Sequence, residues 1–302
     1  MLLDGLGSLS FPDELLKDLK FSGINIRFFA PLFSTYTFYL GRRLHRKVVV
    51  ADAKVALVGG INIADKYHGS TTEKPWLDYA VQLNGEIAKP LQQLCRDKYF
   101  KKRELKNTKI KSTFQIQNDT SVRILQNDWL KGKNEICDGY IKSIRQAKKE
   151  IIIVGSYFLP GIRIIQALKK ASKNKVTIKL ILSGKSDLPM TRRATCFLYD
   201  KLLKYNIELY EWDQSVLHGK VAVIDENWST IGSFNLNNLS SYGSLEMNVE
   251  IRSRSFSSEF RTHLNGVISQ CQSITKESLK TKTTIMTKFI NLFSYVITRM
   301  IE

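Results

Sequence analysis

The chain has 302 residues, of which 43% are hydrophobic and 25% charged, a composition that indicates a packed core and argues against disorder. The length suits two core-forming units. Lys and Arg number 46 against 28 Asp and Glu, and the net charge of +18 favours a polyanionic partner such as nucleic acid or an anionic membrane face.

The cysteines and the apolar runs indicate which kinds of protein this chain does not resemble. The four cysteines contain no CxxC pair, which argues against a zinc knuckle or a disulfide framework and fits a reducing compartment. The N-terminal residues predict no secretory signal. Because no apolar run reaches about 18 residues, we expect no membrane-spanning helix.

In chain order, the first predicted elements are a strand at "LLDG", a helix at "FPDELLKDLKFSG" and a strand at "INIRFFA". The stretch "LHRKVVVAD" begins at Leu44, and "DYAVQL" from Asp78 alternates as a strand does. The basic, polar stretch "KKRELKNTKIKSTFQIQNDT" follows from Lys101. We place a domain boundary there, although a solvated helix followed by a strand explains it equally well.

The second part alternates strands and helices. We predict strands at "EIIIVGSYFL", "KVTIKLILSG" and "IELYEW", with helices at "GIRIIQALKKASKN", ending at Asn174, and at "TRRATCFLYDKLLKYN". They lead into "LHGKVAVID" at Leu217, and "EMNVEI" from Glu246 reads as a further strand. This β-α-β-α-β order predicts an α/β fold.

The chain contains an internal duplication. Leu44–Ile63 and Leu217–Leu236 align without gaps and share eight identities in twenty positions. We therefore predict two halves, residues 1–110 and 111–270, followed by a basic, amphipathic C-terminal helix in 271–302. The first half has no counterpart of "EIIIVGSYFL" and its helix. Either its start is truncated, or the second half covers the exposed sheet edge.

The repeated residues suit phosphate chemistry. Residues i and i+2 of a strand share a face, so each half presents an imidazole beside an ammonium. A cleft between the halves would combine a nucleophile, an acid and clamps for phosphate oxygens. The histidine and lysine pairs are His45 with Lys47 and His218 with Lys220.

Four further side chains are candidates around this cleft. Asn62 and Asn235 follow the glycines of "GGIN" and "GSFN", and we expect them to bind phosphate. Asp78 and Glu246 are expected to orient an imidazole. A metal site is disfavoured, because lysine is a poor ligand and no further His or Cys lies at ligand spacing. His68 and His263 are unrepeated, and we expect them to be structural.

The pairs "HRKVVVAD" and "HGKVAVID" resemble the two HxKx4D motifs of the phospholipase D superfamily. Almost the whole chain resembles the bacterial cardiolipin synthases, particularly the B type. The resemblance implies two pseudo-symmetric α/β halves with the active site between them, a phosphohistidine intermediate, and neither metal nor cofactor. It also implies that His45 is the nucleophile and His218 the general acid and base. Relatives of this type carry a further strand and helix ahead of the position of Met1.

The motif adds Asp52 and Asp225 to the catalytic candidates by resemblance. Their odd spacing from the histidines, where a strand is turning, favours a turn or a structural hydrogen bond instead.

The resemblance implies a phosphatidyltransferase that converts two phosphatidylglycerols into cardiolipin and glycerol. Such an enzyme would bind anionic phospholipid peripherally, on the cytoplasmic face of the bacterial inner membrane. The tail "KFINLFSYVITRMIE" predicts an amphipathic helix that lies in an anionic interface or packs on the body. Two alternatives are a phosphodiesterase that acts on nucleic acid, which we favour less because no basic groove with interleaved aromatics is visible, and an inactive lipid-binding remnant. The sequence predicts no oligomeric state.

Overall fold

The computed structural model describes residues 1–31, 33–34, 37–38, 43–100, 113–117 and 119–301. The elements of the first part are β1 (Leu2–Asp4), α1 (Asp13–Phe21), β2 (Arg27–Phe29), β3 (Phe33–Ser34), β4 (Thr37–Phe38), β5 (Arg43–Leu44), β6 (Lys47–Ala51), β7 (Val55–Gly59), β8 (Ala80–Asn84) and α2 (Ala88–Tyr99). A short 3-10 helix, Asp65–Tyr67, lies between β7 and β8.

The second part contains most of the regular structure. Its elements are β9 (Thr113–Gln117), β10 (Thr120–Asp128), β11 (Lys133–Asn134), α3 (Glu135–Gln146), β12 (Glu150–Gly155), α4 (Ile162–Lys173), β13 (Thr177–Lys185), α5 (Pro189–Phe197), α6 (Tyr199–Lys204), β14 (Glu208–Val216), β15 (Lys220–Ile224), β16 (Trp228–Gly232), α7 (Asn238–Tyr242), β17 (Ser244–Arg252), α8 (Arg254–Ile268), β18 (Gln272–Ile274), α9 (Lys276–Lys282) and α10 (Ile285–Ile301). A further 3-10 helix, Trp129–Lys131, follows β10.

One large mixed sheet organises the second part. Its main strand order is β11-β10-β17-β16-β15-β12-β13-β14-β18, and β9 pairs with β10. The strands β12, β13 and β14 run parallel to one another, as their helical crossovers require. The apolar run of β12 is buried along nearly its whole length, because helices cover both faces of a sheet of this kind. The fold is therefore α/β, as predicted.

The first part has a smaller sheet. The strands β6, β7 and β8 form an antiparallel sheet, and β1 pairs with β2 in parallel. By the duplication, β6 corresponds to β15 and β7 to β16. β15 lies between β16 and β12, whereas β6 pairs only with β7 within the described part of the chain. The second half therefore does not cover this edge with a strand.

The two parts share a core. One apolar cluster combines Val58 and Leu91 of the first part with Ile124 and Val249 of the second. Strand β5 also pairs with β17, so a strand of the first part extends the large sheet. Because the parts bury apolar surface against each other, each supports the position of the other.

Most predicted elements form, with local differences. Asn174 is the C-terminal cap of α4, as its position predicted. The helix predicted at "TRRATCFLYDKLLKYN" is two helices, α5 and α6, separated at Leu198. The predicted boundary at 110 lies outside the described residues. A search of the described residues finds no helix that is both long and apolar enough to cross a membrane.

Candidate active site

Each repeated histidine lies where the two parts of the chain meet. The His45 amide donates to the carbonyl of Leu245 at 3.1 Å, and the His218 amide donates to that of Leu77 at 2.8 Å. The neighbouring pairings are equivalent, because Leu44 pairs with Leu245 and Leu217 with Leu77, both in parallel. These two short junctions are equivalent under the duplication and bring both motifs to one place.

The orienting carboxylates cross between the halves. His45 Nδ1 lies 2.9 Å from Glu246 Oε2, and His218 Nδ1 lies 2.7 Å from Asp78 Oδ2. A carboxylate accepts the Nδ1 proton and so leaves Nε2 unprotonated and available to a ligand. Both acids are nearly or fully inaccessible to solvent. Each half thus orients the catalytic candidate of the other half.

A glycine makes room for one of these acids. A Cβ added to Gly60 would lie 2.3 Å from Asp78 Oδ1, far inside van der Waals contact. Asp78 Oδ1 also accepts its neighbour's amide, from Tyr79, at 2.7 Å. Gly60, the first residue after β7, therefore serves close packing against the carboxylate, which the repeat of "GGIN" and "GSFN" indicated only in general terms.

The two lysines repeat the same arrangement. Lys47 Nζ donates to the carbonyl of its own histidine, His45, at 2.8 Å, and Lys220 Nζ donates to the carbonyl of His218. Lys220 also lies 3.0 Å from His218 Nδ1 and is almost completely buried. Buried ammonium groups beside paired acids place positive charge in the site.

Burial and mutual charge shift the titration of the whole cluster. Burial lowers the pKa of Lys47 to about 8 and also lowers the pKa of Lys220, with Asp78 opposing the latter effect. Burial raises the pKa of Asp78. Burial would also raise the pKa of Glu246, but the charge and hydrogen bond of His45 outweigh it and the net shift is downward.

Both histidines favour the neutral form. Burial lowers the pKa of His45, and Glu246 only partly opposes this. Burial, followed by the charges of Lys220 and Lys47, lowers the pKa of His218. Neutral imidazoles with a free Nε2 are nucleophiles and bases, and a bound phosphate anion would raise both pKa values again.

The surroundings of the two histidines differ. The His218 side chain is 7% exposed and that of His45 is 30% exposed. Tyr67, Trp76 and Tyr157 lie against the His218 ring, with centroid distances of 5.6, 5.7 and 5.9 Å. The more open His45 is the easier of the two for a bulky phosphodiester to reach.

The two asparagines are not equivalent in the structure. Asn235 is buried and accepts from Ser156 Oγ at 3.1 Å through its Oδ1, which leaves its amide nitrogen as a donor. Asn62 is exposed and donates to Tyr67 Oη at 2.9 Å, and Tyr67 Oη lies 3.1 Å from His218 Nδ1. Asn62 is therefore linked to His218 through a tyrosine.

The motif aspartates lie away from the histidines. Asp225 follows β15 at the end opposite His218, about 20 Å along an extended chain. Its carboxylate accepts from the amides of Lys148 and Lys149, both at 2.8 Å, and of Glu150 at 3.0 Å. Asp52 is exposed, and both aspartates have φ near 50°, the left-handed region found in turns. The structure thus places both aspartates in turns at a distance from the histidines, and the catalytic role that the motif resemblance implied for them stays a prediction.

Sequence reasoning missed the groups around the paired acids. Ser233 Oγ donates to Glu246 Oε2 at 2.5 Å, and Tyr157 Oη donates to Asp187 at 2.6 Å. Ser233 lies inside the repeated "GSFN", so the repeat could have indicated it as a site residue. Trp76, which contacts the His218 ring, lies two residues before Asp78, so the strand period could have indicated it as well.

His68 and His263 stand apart from this cluster. His68 contacts the carbonyl of Gly69, and His263 contacts Tyr79. Within the described ranges, the His, Cys, Asp and Glu side chains form no group of three arranged to hold a metal ion.

Two imidazoles, each held by a carboxylate from the opposite half and each beside a lysine, form a candidate site whose groups suit phosphodiester transfer. A family profile described as "Cardiolipin synthase, PLD-like domain" matches residues 140–268. The chain is 36% identical over 292 residues to cardiolipin synthase B of Escherichia coli (strain K12), an alignment that covers 94% of this chain and 70% of that protein. It is 30% identical to the minor cardiolipin synthase ClsB of Bacillus subtilis (strain 168), with 94% and 71% covered. The chain therefore belongs to the cardiolipin synthase family, within the phospholipase D superfamily of enzymes.

A solved structure supports the fold. The chain aligns with phosphatidylserine synthase of Haemophilus influenzae Rd KW20 at a TM-score of 0.74 and 15% sequence identity, over 100% of this chain and 82% of that one. The similarity extends across both parts of the chain, although the family profile covers only part of the second.

Proposed function

We propose that the chain transfers a phosphatidyl group from one phosphatidylglycerol to another, which forms cardiolipin and releases glycerol. The observation that carries this proposal is the pair of crossed contacts, His45 with Glu246 and His218 with Asp78. They supply two independently oriented imidazoles in one cleft. Two such groups are what a double displacement at phosphorus requires.

In the first step, neutral His45 attacks the phosphorus of the donor lipid through Nε2. A P–N bond forms, and the P–O bond to the departing glycerol breaks with its electron pair on that oxygen. His218 Nε2 protonates the oxygen. The negative phosphate raises the pKa of His218 on binding, so the imidazole can carry this proton in the complex although burial disfavours it in the free protein. Lys47 and Lys220 stabilise the charge on the non-bridging oxygens.

In the second step, the hydroxyl of a second phosphatidylglycerol takes the place of glycerol. His218, now neutral, accepts the hydroxyl proton as the oxygen attacks phosphorus. The P–N bond breaks, and its electron pair returns to His45 Nε2. The two steps restore both imidazoles, so the site is ready for another cycle.

Transfer to a lipid hydroxyl, rather than to water, is supported by the names of the relatives. The geometry supports phosphodiester chemistry with either acceptor. We further propose that the enzyme works peripherally on the cytoplasmic face of the bacterial inner membrane, where anionic phospholipid offers a surface to its excess of basic residues.

Mass spectrometry of lipids after incubation with phosphatidylglycerol vesicles tests the proposal. The parent protein and His68→Ala should both form cardiolipin and glycerol in equal amounts, whereas His45→Ala and His218→Ala should form neither. Phosphatidic acid in place of cardiolipin would show hydrolysis. A folded protein that leaves the lipid unchanged and cleaves DNA or RNA, with no cleavage by His218→Ala, would show that the substrate is a nucleic acid and not a lipid.

A further inference from the structure

Helix α10 packs on the body with its polar side inward. Its buried residues are Asn291, Ser294 and Thr298, which lie along one face. Nine large apolar side chains of α10 are between 39% and 85% exposed: Ile285, Met286, Phe289, Ile290, Leu292, Phe293, Val296, Met300 and Ile301. An ordinary surface helix buries its apolar stripe, so the orientation of α10 is reversed.

Specific contacts hold α10 in this orientation. The Tyr295 ring lies 4.8 Å from that of Phe197 on α5, and Tyr295 packs against the main core. Arg299 Nη2 donates to the carbonyl of Pro160 at 2.7 Å. These contacts lie on the inward side of the helix and fix the outward direction of its apolar face.

The C-terminal end of α10 lies close to the active site. Pro160 accepts from Arg299 and is three residues from Tyr157, a span of at most about 11 Å. The Tyr157 ring contacts His218. The C-terminal end of α10 therefore lies beside a loop that leads to the catalytic candidate His218.

Exposed apolar side chains also lie on the segments that frame the catalytic residues. Ile63 follows Asn62, Leu188 follows Asp187, and Tyr242 lies on α7, just before the strand that carries Glu246. Single exposed apolar residues are ordinary, but here they accompany a helix with a broad apolar face.

Charge indicates what covers this surface. Lys276 and Lys280 on α9, the helix that precedes α10 in the chain, and Lys288 on α10 itself are exposed. Apolar side chains bordered by lysines match an anionic lipid interface, in which the acyl region takes the side chains and the headgroups take the ammonium groups. A second protein copy would bring like charges together, since the chain carries a net charge of +18.

We infer that α10 inserts its apolar face into the surface layer of an anionic membrane and lies in its plane, with the active-site cleft beside it. This inference rests on the proposed function for the identity of the lipid. The helix acts as a fixed part of the enzyme surface, because its polar side is packed on α5. Lipid substrates would then enter the cleft from the membrane surface without leaving it.

Vesicle binding without turnover tests the inference. In a His218→Ala background, the protein should co-sediment with vesicles made of phosphatidylcholine and phosphatidylglycerol. The double change Phe289→Ser and Phe293→Ser should weaken this binding by about tenfold or more. Phe21→Ser is the matched control, because Phe21 is 95% exposed on α1 and should leave vesicle binding unchanged. The parent chain already has four Trp, so Phe289→Trp should lose more of its Trp fluorescence than the parent when the vesicles contain lipids with brominated acyl chains.

Three results would overturn the inference. The first is equal vesicle binding by the double variant and by Phe21→Ser. The second is the absence of quenching of the Trp at position 289. The third is a dimer in solution that the double variant no longer forms, although it still binds vesicles. Vesicle binding in the His218→Ala background, compared with cardiolipin formation by the protein with His218 intact, separates the two proposals. Vesicle binding through α10 with no cardiolipin product would support the docking surface and contradict the proposed function. Cardiolipin formation with vesicle binding independent of α10 would do the reverse.

Discussion

His218, in the second half of the chain, is oriented by Asp78 of the first half, with 2.7 Å between Nδ1 and Oδ2. His45 and Glu246 form the reciprocal contact at 2.9 Å. Neither half holds an oriented histidine by itself. The duplication therefore produces one site that depends on the contact between the halves, rather than two independent sites.

The crossed carboxylates should be essential for rate. Asp78→Asn and Glu246→Gln replace an acceptor with an amide that can present a donor to Nδ1, which favours the wrong imidazole tautomer. We expect each change to lower kcat about 100-fold or more. Steady-state cardiolipin formation measures this, with thermal unfolding to confirm that the variants fold. Asp200→Asn, at an exposed position on α6, is the control and should keep the parent rate. Parent rates in the first two variants would show that the carboxylates do not position the histidines.

The duplication and the residue types of the site could be predicted from the sequence, but the crossing could not. Asp78 and Glu246 occupy equivalent positions in their halves, and nothing in their spacing says which histidine each one meets. That depends on parallel pairing between residues far apart, Leu44 with Leu245 and Leu77 with Leu217. Such long-range pairing leaves no periodic signal in either strand.

The aromatic surroundings of His218 were hidden for a different reason. Tyr67 and Trp76 lie between β7 and β8, beyond the end of the aligned repeat at Ile63, in a stretch that is mostly irregular. The packing of an irregular segment is set by tertiary contacts rather than by a sequence period. The asymmetry between a closed His218 and a more open His45 therefore required the structure.

Activity should fall at alkaline pH. Burial lowers the pKa of Lys47 to about 8 from its ordinary value of 10.5, so the free enzyme loses this ammonium above about pH 8. We expect kcat/KM to fall about tenfold per pH unit there, since the phosphate loses a positive partner. The bound anion raises the lysine pKa, so kcat should fall only at higher pH. Burial lowers the pKa of Lys220 as well, so Lys47→Arg, which stays charged, should make this alkaline limb less steep rather than remove it, whatever its absolute rate.

Unfolding driven by Lys47 cannot explain such a decline. The folded pKa of this group lies below the unfolded value, so the unfolded chain binds more protons between about pH 8 and 10.5. The contribution of Lys47 to the free energy of unfolding therefore rises with pH across this window. A kcat/KM profile that stays flat above pH 9 would show that the charge on Lys47 is not needed.

The motif aspartates should affect stability rather than catalysis. In Asp225→Asn the amide can still accept from Lys149 and Glu150, but it presents a donor to the Lys148 amide. We expect a loss of about 1–2 kcal/mol in the free energy of unfolding, measured in urea. Asp52→Asn, at an exposed position, should change it by less than about 0.5 kcal/mol. Asn tolerates the left-handed backbone at both positions, so strain does not confuse the comparison. A large loss of kcat in folded Asp225→Asn would instead give it a catalytic role.

A lysine should destabilise the protein at one of two equivalent positions in the halves and have little effect at the other. Val49 on β6 faces Leu57 on β7 in register, and they are 59% and 43% exposed. In the second half, the equivalent Ala222 is fully buried in the core that α3 and α4 cover. Val49→Lys should change the free energy of unfolding by less than about 0.5 kcal/mol and increase the monomeric fraction, because charge on an exposed sheet opposes association. Ala222→Lys forces an ammonium group into a closed core and should cost more than about 4 kcal/mol. Urea unfolding with light scattering after size exclusion measures both effects. Equal destabilisation by the two changes would show that the outer face of β6 and β7 is covered in solution.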